Sequence, residues 1–307
     1  MQIISKPEEK NYSPCVATVG FFDGLHVGHR FLIEELKTIA ASQNLNSVVI
    51  TFSTHPRKVL HSEFQTQLIT TFSEKLIQLE STGIDECIVL DFTIEMAKLS
   101  AFDFLKLILR DKFNVQTLLV GHDHRFGHNR MDGINEYKQF GKELGLNVIE
   151  ANYFSTDSDY HISSSTIRSA INTGDIEKAN RLLTYEYSIF GDVINGFNVG
   201  KKIGFPTANI KPEDSQKLIP AIGVYAVRVH WKNTAYKGML NIGNRPTLNN
   251  GENISIEVHI IDFDTDIYSE KIKIDFIKKI RDEIKFNSVE ELVEQLHNDK
   301  QNVLNLI

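Results

Sequence analysis

The sequence predicts an α/β domain built on a doubly wound parallel sheet, followed by a small antiparallel β-barrel that ends in a helix. Three observations lead there. Short apolar runs alternate with helical patterns through the first half. That texture stops near 184–187, and β-rich runs separated by Gly, Asn and Asp turns then follow without long helices between them. The chain has 307 residues, more than one core usually serves. The expected division is 1–186 and 187–307.

In the first half, strands are expected at 17–22, 47–52, 86–91, 117–121 and 147–153, and helices at 31–42, 73–81, 101–112 and 134–144. The strands are unbroken apolar runs, the pattern of a sheet covered on both faces. In the first helix Leu32, Leu36 and Ile39 recur at helical spacing, with Glu34, Glu35 and Lys37 between them. Ligands of such sheets bind beyond the carboxyl ends of the strands. Three polar loops therefore share one rim: 20–29, T-F-S-T-H-P-R at 51–57, and V-G-H-D-H-R-F-G at 120–127.

Past a helical stretch at 175–183, strands are expected at 188–194, 224–231, 235–242, 254–263 and 271–277. The tail, 289–304, reads as an amphipathic helix with Leu292, Val293, Leu296 and Val303 on its apolar side.

Composition narrows the function classes. An apolar fraction of 41% and a charged fraction of 24% are those of an ordinary globular chain. A net charge of -7 argues against a broad nucleic-acid surface, while leaving room for a local cationic pocket. Cys15 and Cys87 are far apart, form no metal-ligand pattern and give no reason to infer a disulfide. The first ten residues, M-Q-I-I-S-K-P-E-E-K, lack an apolar leader core, and no run reaches membrane-spanning length. The expectation is a cytoplasmic protein with no membrane or nucleic-acid partner. Self-association is left open, since the sequence does not give the oligomeric state.

The stretch V-A-T-V-G-F-F-D-G-L-H-V-G-H runs from strand to helix, with His26, Gly28 and His29 at the junction. Free amides of a first helical turn suit phosphate, and a glycine allows close approach. Two imidazoles there can donate to a phosphoryl group whose charge grows during reaction. Histidines satisfied by local backbone fit the same four residues. After the last strand of this half, I-S-S-S-T-I-R places Ser163 or Ser164 at a helix N-cap and Arg168 about a turn on, either a second phosphate clamp or a capped surface helix.

Taken together, G-F-F-D-G-L-H-V-G-H, T-F-S-T-H-P-R, V-G-H-D-H-R-F-G and I-S-S-S-T-I-R resemble, in order and spacing, the adenylyltransferase half of the bacterial bifunctional riboflavin kinase/FAD synthetases. The family's usual forms are close to GNFDGxHxGH, TFxPHP, GxDFxFG and ISSTxIR. Phe21, Thr54 and His124 depart from them, standing for Asn, Pro and Phe. The resemblance implies that His26, His29 and Arg168 are catalytic. It further implies that Gly20, Phe21, Asp23, Gly24, Gly28, Ser163 and Ser164 bind nucleotide or phosphate, and that His55, Pro56, Asp123 and Phe126 bind flavin.

In the second half, G-F-N-V-G-K-K-I-G-F-P-T-A-N-I spans 196–210. Gly196, Gly200 and Gly204 with Lys201 form a plausible phosphate-approaching loop that lacks the Walker GK[ST]. Thr207 and Asn209 offer neutral oxygens suited to Mg²⁺. A hairpin loop with a Pro-Thr turn is the other reading of these residues. With L-N-I-G-N-R-P-T, E-V-H-I-I-D-F and I-R-D-E-I-K-F, this half resembles the riboflavin kinase module of the same family. Thr207 and Asn209 are thereby implied as Mg²⁺ ligands, Glu257 as the base, and Asn241 and Arg245 as flavin contacts. Lys201 stands where Arg is usual, losing the two-pronged donor, and Leu248 replaces Phe.

The expected function is therefore phosphorylation of riboflavin to FMN by ATP, then adenylylation of FMN to FAD with release of pyrophosphate. ATP is the co-substrate of both steps and Mg²⁺ the metal. The two steps make different demands. A neutral alcohol needs a carboxylate to take its proton. A phosphate nucleophile is already anionic and needs its charge neutralised.

Overall fold

The structure is a computed structural model and describes residues 1–5, 7, 12–60, 67–122, 125–128, 131–154, 162–196, 199–244 and 254–307. The chain divides into two compact units, Met1–Ile162 and Ser163–Ile307.

In the first unit the strands are β1 (Gln2–Ile4), β2 (Cys15–Val19), β3 (Asn46–Phe52), β4 (Glu86–Leu90), β5 (Val115–Val120) and β6 (Asn147–Glu150). The helices are α1 (Val27–Gln43), α2 (Pro56–Leu60), α3 (Phe72–Glu80), α4 (Ile94–Ala97), α5 (Ala101–Asp103) and α6 (Ile134–Leu144). Strand order is β1-β4-β3-β2-β5-β6, and every pairing is parallel. The doubly wound expectation is met. Alternation along each strand feeds two cores. Ala17, Val19, Val48, Ile50, Ile88 and Leu118 pack on one face under Leu105, Leu109 and Tyr137. Val16, Val49, Val89 and Leu119 pack on the other under Ile33, Leu36 and Ala40 of α1. Cys15 and Cys87 are buried thiols on opposite faces of the sheet, and Cys15 Sγ donates to Phe113 O at 3.7 Å.

Details differ from the sequence reading. β1 is a three-residue edge strand, too short to show a pattern. The first expected strand ends at Val19, since Gly20 makes the last backbone bond to β3 and the chain turns at Phe22 with a φ of 56°; the last ends at Glu150 rather than 153. Helix α1 starts four residues early, at Val27, because His26 caps it. The expected helix at 101–112 is α-helical only as α5 and continues as a π-helix, Phe104–Lys112.

The second unit opens with α7 (Ser164–Thr173) and α8 (Ile176–Leu183). Strands β7 (Ser188–Ile194), β8 (Ala208–Pro212), β9 (Gly223–Trp231), β10 (Thr234–Asn244), β11 (Ile254–Ile260) and β12 (Lys271–Arg281) form a closed barrel in the order β10-β11-β8-β7-β12-β9. All its pairings are antiparallel, as expected. A short helix, α9 (Val199–Lys202), precedes β8, a strand that the turn-like P-T-A-N had hidden. Asn180 of α8 donates from Nδ2 to Phe276 O at 2.9 Å and accepts from Tyr187 N at 2.8 Å, stitching the helix to β12 and to the start of β7. The terminal helix α10 (Val289–Leu306) sets Leu296 and Val303 against Phe205, Ala226 and Met239.

Candidate active sites

In the sheet unit, β2 is the strand at which the order reverses: β3 lies to one side and β5 to the other. Its carboxyl end is thus the switch point where doubly wound sheets open a crevice, and the loop carrying H-V-G-H leaves from there. His26 is the N-cap of α1, and its Nδ1 accepts from His29 N at 3.4 Å. A cap that accepts through Nδ1 must be unprotonated at that atom. Burial, opposed in part by Asp23, pushes the His26 pKa down to about 4, which agrees. The His29 ring stacks on His26 with centroids 3.7 Å apart, and Phe22 meets His29 edge-on at 5.2 Å. Gly28 lies beside the His26 ring in the first turn, and Gly20 N donates to Ile50 O at 3.0 Å, holding the loop to β3.

Asp23, expected among the phosphate contacts, is turned inward and buried. It accepts from Ile69 N at 3.2 Å, from Thr70 N at 3.0 Å and from the Thr70 hydroxyl at 3.3 Å. Gly24 N donates to Thr70 Oγ1 at 3.0 Å. Both residues fasten the loop to the segment that leads into α3. Phe21 packs edge-on against His55, centroids 4.5 Å apart, so the first two rim loops touch. His55 Nδ1 accepts from Arg57 N at 3.1 Å, and Pro56 is the first residue of α2, where its missing N–H costs nothing. In the third loop the Phe126 ring stacks on Tyr137, centroids 4.1 Å apart, and the Phe126 backbone donates to the Tyr137 hydroxyl at 3.0 Å and accepts from it at 3.1 Å. Its ring therefore belongs to the loop's own packing. Asp123 and His124 lie outside the described residues.

Lys75 on α3 went unnoticed in the sequence. In S-E-K-L-I it reads as a solvent-facing lysine, yet it is 2% exposed. Its ammonium donates to Phe52 O at 2.8 Å, and to Phe21 O and Thr51 Oγ1 at 3.2 Å each.

In the barrel unit, Ser163 caps α7 by accepting from Thr166 N at 3.2 Å; Ser164 is its first residue and Arg168 lies half-buried on the same helix. The second site is built by register. Asn209 on β8 pairs with Glu257 on β11, which pairs with Asn241 on β10. Directly opposed residues project on one face, so the three side chains form a row. The row runs from Ile194 on β7, which pairs with Asn209, to Val224 on β9 and Arg281 on β12. Thr207, just before β8, donates to Glu257 Oε2 at 3.3 Å. His259 is buried and accordingly shifted down in pKa; its Nδ1 lies 2.8 Å from Pro206 O and holds the Pro-Thr turn.

Two glycines of this loop are there for close approach. A Cβ on Gly196 would overlap the Asn209 amide, and one on Gly200 would overlap Phe205 O, whose own N–H donates back to Gly200 O at 2.9 Å. Gly204 follows α9 with a φ of +84°. A cavity of about 440 Å³ opens beside Thr207, with Lys201, Pro206, Val258, Phe263 and Tyr268 in its walls. Glu283, from the R-D-E segment and also missed, brings its carboxylate up to Gly243, near the Asn241 amide. Arg245 and Leu248 lie outside the described residues.

A parallel sheet with paired histidines at its switch point, and a barrel with a carboxylate beside Thr and Asn, define an enzyme of nucleotide-phosphate chemistry. Comparison with known proteins gives the family. The FAD synthetase family matches residues 8–166, and the riboflavin kinase family matches 183–307. A bifunctional riboflavin kinase/FMN adenylyltransferase of Bacillus subtilis is 38% identical over 96% of this chain and 93% of its own. Its namesake in Listeria monocytogenes is 36% identical over 93% and 90%. A solved structure described as a macrolide-efflux protein from Streptococcus pneumoniae matches with a TM-score of 0.90 at 31% identity, over 99% of this chain and 98% of that one. Among the described residues here, no helix is long and apolar enough to cross a membrane. The chain belongs to the bifunctional riboflavin kinase/FMN adenylyltransferase family.

Proposed function

We propose that the chain makes FAD in two ATP-dependent steps, with riboflavin phosphorylated at the barrel site and FMN adenylylated at the sheet site. The observation that carries this reading is the chemical contrast between the sites. One offers imidazoles and helix amides; the other offers a carboxylate.

At the sheet site the nucleophile is the FMN phosphate, already anionic. His26, neutral and with Nδ1 engaged in capping, is left with its Nε2–H to donate. His29 and the free amides of α1 add donors toward the crowded phosphates and the departing pyrophosphate. No covalent intermediate is needed. The part given to Arg168, Ser163 and Ser164 rests on the I-S-S-S-T-I-R motif, and that given to His55, Pro56, Asp123 and Phe126 on their loops' likeness to the family.

At the barrel site Glu257 takes the proton of the ribityl 5′-hydroxyl as it attacks the γ-phosphate of ATP. Thr207 and Asn209 are the residues that would hold Mg²⁺. Neutral oxygens beside a carboxylate are a hard donor set, and the approach that Gly196 allows keeps the Asn209 amide in place. There the metal would supply spreading of the charge on the transferring phosphates. Lys201, in the cavity wall next to Thr207, faces ATP there, and Asn241 and Arg245 orient the flavin. We assign the adenylyl step to 1–186 and the kinase step to 187–307, a division supported by the two family matches. A cytoplasmic location belongs to the same proposal.

The test is incubation with riboflavin, ATP and Mg²⁺ followed by chromatography over time. FMN should appear first and FAD after it, and FMN supplied alone should yield FAD and pyrophosphate. Transfer of a nucleotide to some other phosphate ester, with both flavins untouched, would overturn the reading.

A further inference from the structure

A buried ammonium is costly, and Lys75 occupies a position where an apolar side chain would serve packing alone. Burial drags its pKa down to about 8, so the environment works against the charge it carries. What the charge accomplishes is read from its partners. Its three donors go to Phe21 O, Thr51 Oγ1 and Phe52 O, the first in the loop after β2 and the others at the end of β3. Thr51 Oγ1 also donates to Phe21 O at 3.2 Å, so that one carbonyl is held twice. The Phe21 ring lies under the ammonium, its centroid 4.1 Å away.

The backbone so gripped needs gripping. Phe22 and Leu25 have φ of 56° and 34°, values that L side chains rarely adopt. Such conformations persist only where the surroundings over-determine them. Here one short segment supplies both clamps. Ile69 and Thr70 hold Asp23 and Gly24 on one side of Phe22, and Lys75 holds Phe21 on the other. The loop then runs straight into His26 and the stacked pair.

We propose that Lys75 is a positioning residue for FMN adenylylation: by bridging Phe21 O to the end of β3, its ammonium fixes the loop that presents His26 and His29. This rests on the adenylyltransferase reading of the sheet site. Lys75 touches no reacting atom; its effect is on the placement of groups that do.

The test uses the full chain. Lys75→Met keeps length and apolar bulk and removes the donors. Riboflavin phosphorylation by the same molecules reports that the variant is intact and should be unchanged. FMN adenylylation should lose roughly one to two orders of magnitude, the usual effect of a displacement near 1 Å at a reacting centre. The loss should fall on kcat, with the KM for ATP little altered. In Lys75→Ala, added propylammonium should restore activity saturably, whereas 1-butanol at equal concentration should not; a packing role would respond to both. If Lys75→Met does not fold, Thr51→Val, which removes the bridging hydroxyl at equal size, is measured instead and should lower kcat in the same direction. A folded variant with wild-type kcat, a loss confined to KM, or equal rescue by alcohol would overturn the inference. Wild-type protein that makes no FAD from FMN would instead sink the functional reading on which it rests.

Discussion

The imidazoles of His26 and His29 lie face to face, their centroids 3.7 Å apart and their planes 16° from parallel. Two protonated rings cannot share that spacing without strong repulsion, and the His26 Nδ1 lone pair is already committed to the helix. The stack therefore works with His26 neutral, and its donor and acceptor atoms are fixed by the fold.

An acid response follows. The folded pKa of His26 is about 4 against an ordinary 6.5, so between those values the unfolded chain binds the proton and the folded one does not. Stability that is full above about 6.5 is lost as pH falls toward 4, by up to ~3 kcal/mol. Thermal melts between pH 7 and pH 4 should show the sheet unit weakening, and His26→Asn, which can still cap, should flatten that dependence.

The two activities should separate by single substitutions. His29→Ala removes one donor to the phosphoryl group and should cost FAD formation about 3 kcal/mol, roughly two orders of magnitude in rate, with riboflavin phosphorylation spared. Glu257→Gln should do the reverse, and Thr207→Ala or Asn209→Ala should follow it and raise the Mg²⁺ requirement. Both half-reactions are measured on each variant after circular dichroism. Equal loss of both in well-folded His29→Ala and Glu257→Gln proteins would refute a two-site scheme.

The anchor of α10 is open to the same kind of test. Arg281 reaches Asp299 through three hydrogen bonds, the shortest 2.8 Å, and Asp299 is fully buried. Asp299→Ala strands a guanidinium and should cost about 3–5 kcal/mol, lowering the barrel's melting temperature by roughly 10 °C. Arg281→Met combined with Asp299→Leu should recover most of it, since what hurts is the unpaired charge.

Fragments should differ in stability by their starting residue. Ile176, Ala179 and Leu183 of α8 are buried, and Asn180 bonds both Tyr187 and Phe276. Residues 163–307 should fold and phosphorylate riboflavin. A piece starting at 187 should denature at lower urea concentration, because those contacts are gone.

How much of this was legible beforehand depends on where the signal resides. H-V-G-H and the alternation of apolar runs are local, and the sheet with its switch point followed from them. The inward turn of Asp23 and the burial of Lys75 were hidden for one shared reason. A charge in a G-x-x-D-G turn, or on a helix of mixed pattern, looks solvent-facing, and only the neighbouring strand ends reveal that both point inward. Strand β8 escaped because Pro206 stands just before it and Pro212 is its last residue, which makes it read as a turn. Hydrogen bonding one residue longer than an α-helix, as at Phe104–Lys112, changes no periodicity that a dozen residues can display. Glu257 was visible as a strand glutamate, and its partners were not, since pairing register is a property of two segments at once.

The row through Asn209, Glu257 and Asn241 crosses all six strands, from Ile194 on β7 to Arg281 on β12. Yet β7 and β12 also pair directly, with Asp192 opposite Lys271 at the far end of β12. The sheet thus returns to its start displaced along the strand, the stagger that closure imposes. An open sheet can absorb a one-residue slip at its edge, but a closed sheet has no edge, and the two one-residue irregularities of β12 against β9, at Phe276/Lys278 and Lys279/Arg281, offset one another in parity before the circuit joins. Side-chain parity reverses with each such slip, so the direction in which Glu257 points is decided jointly by all six pairings. The general base should accordingly appear in one step with the finished barrel, and no partly zipped form should phosphorylate riboflavin at a reduced rate.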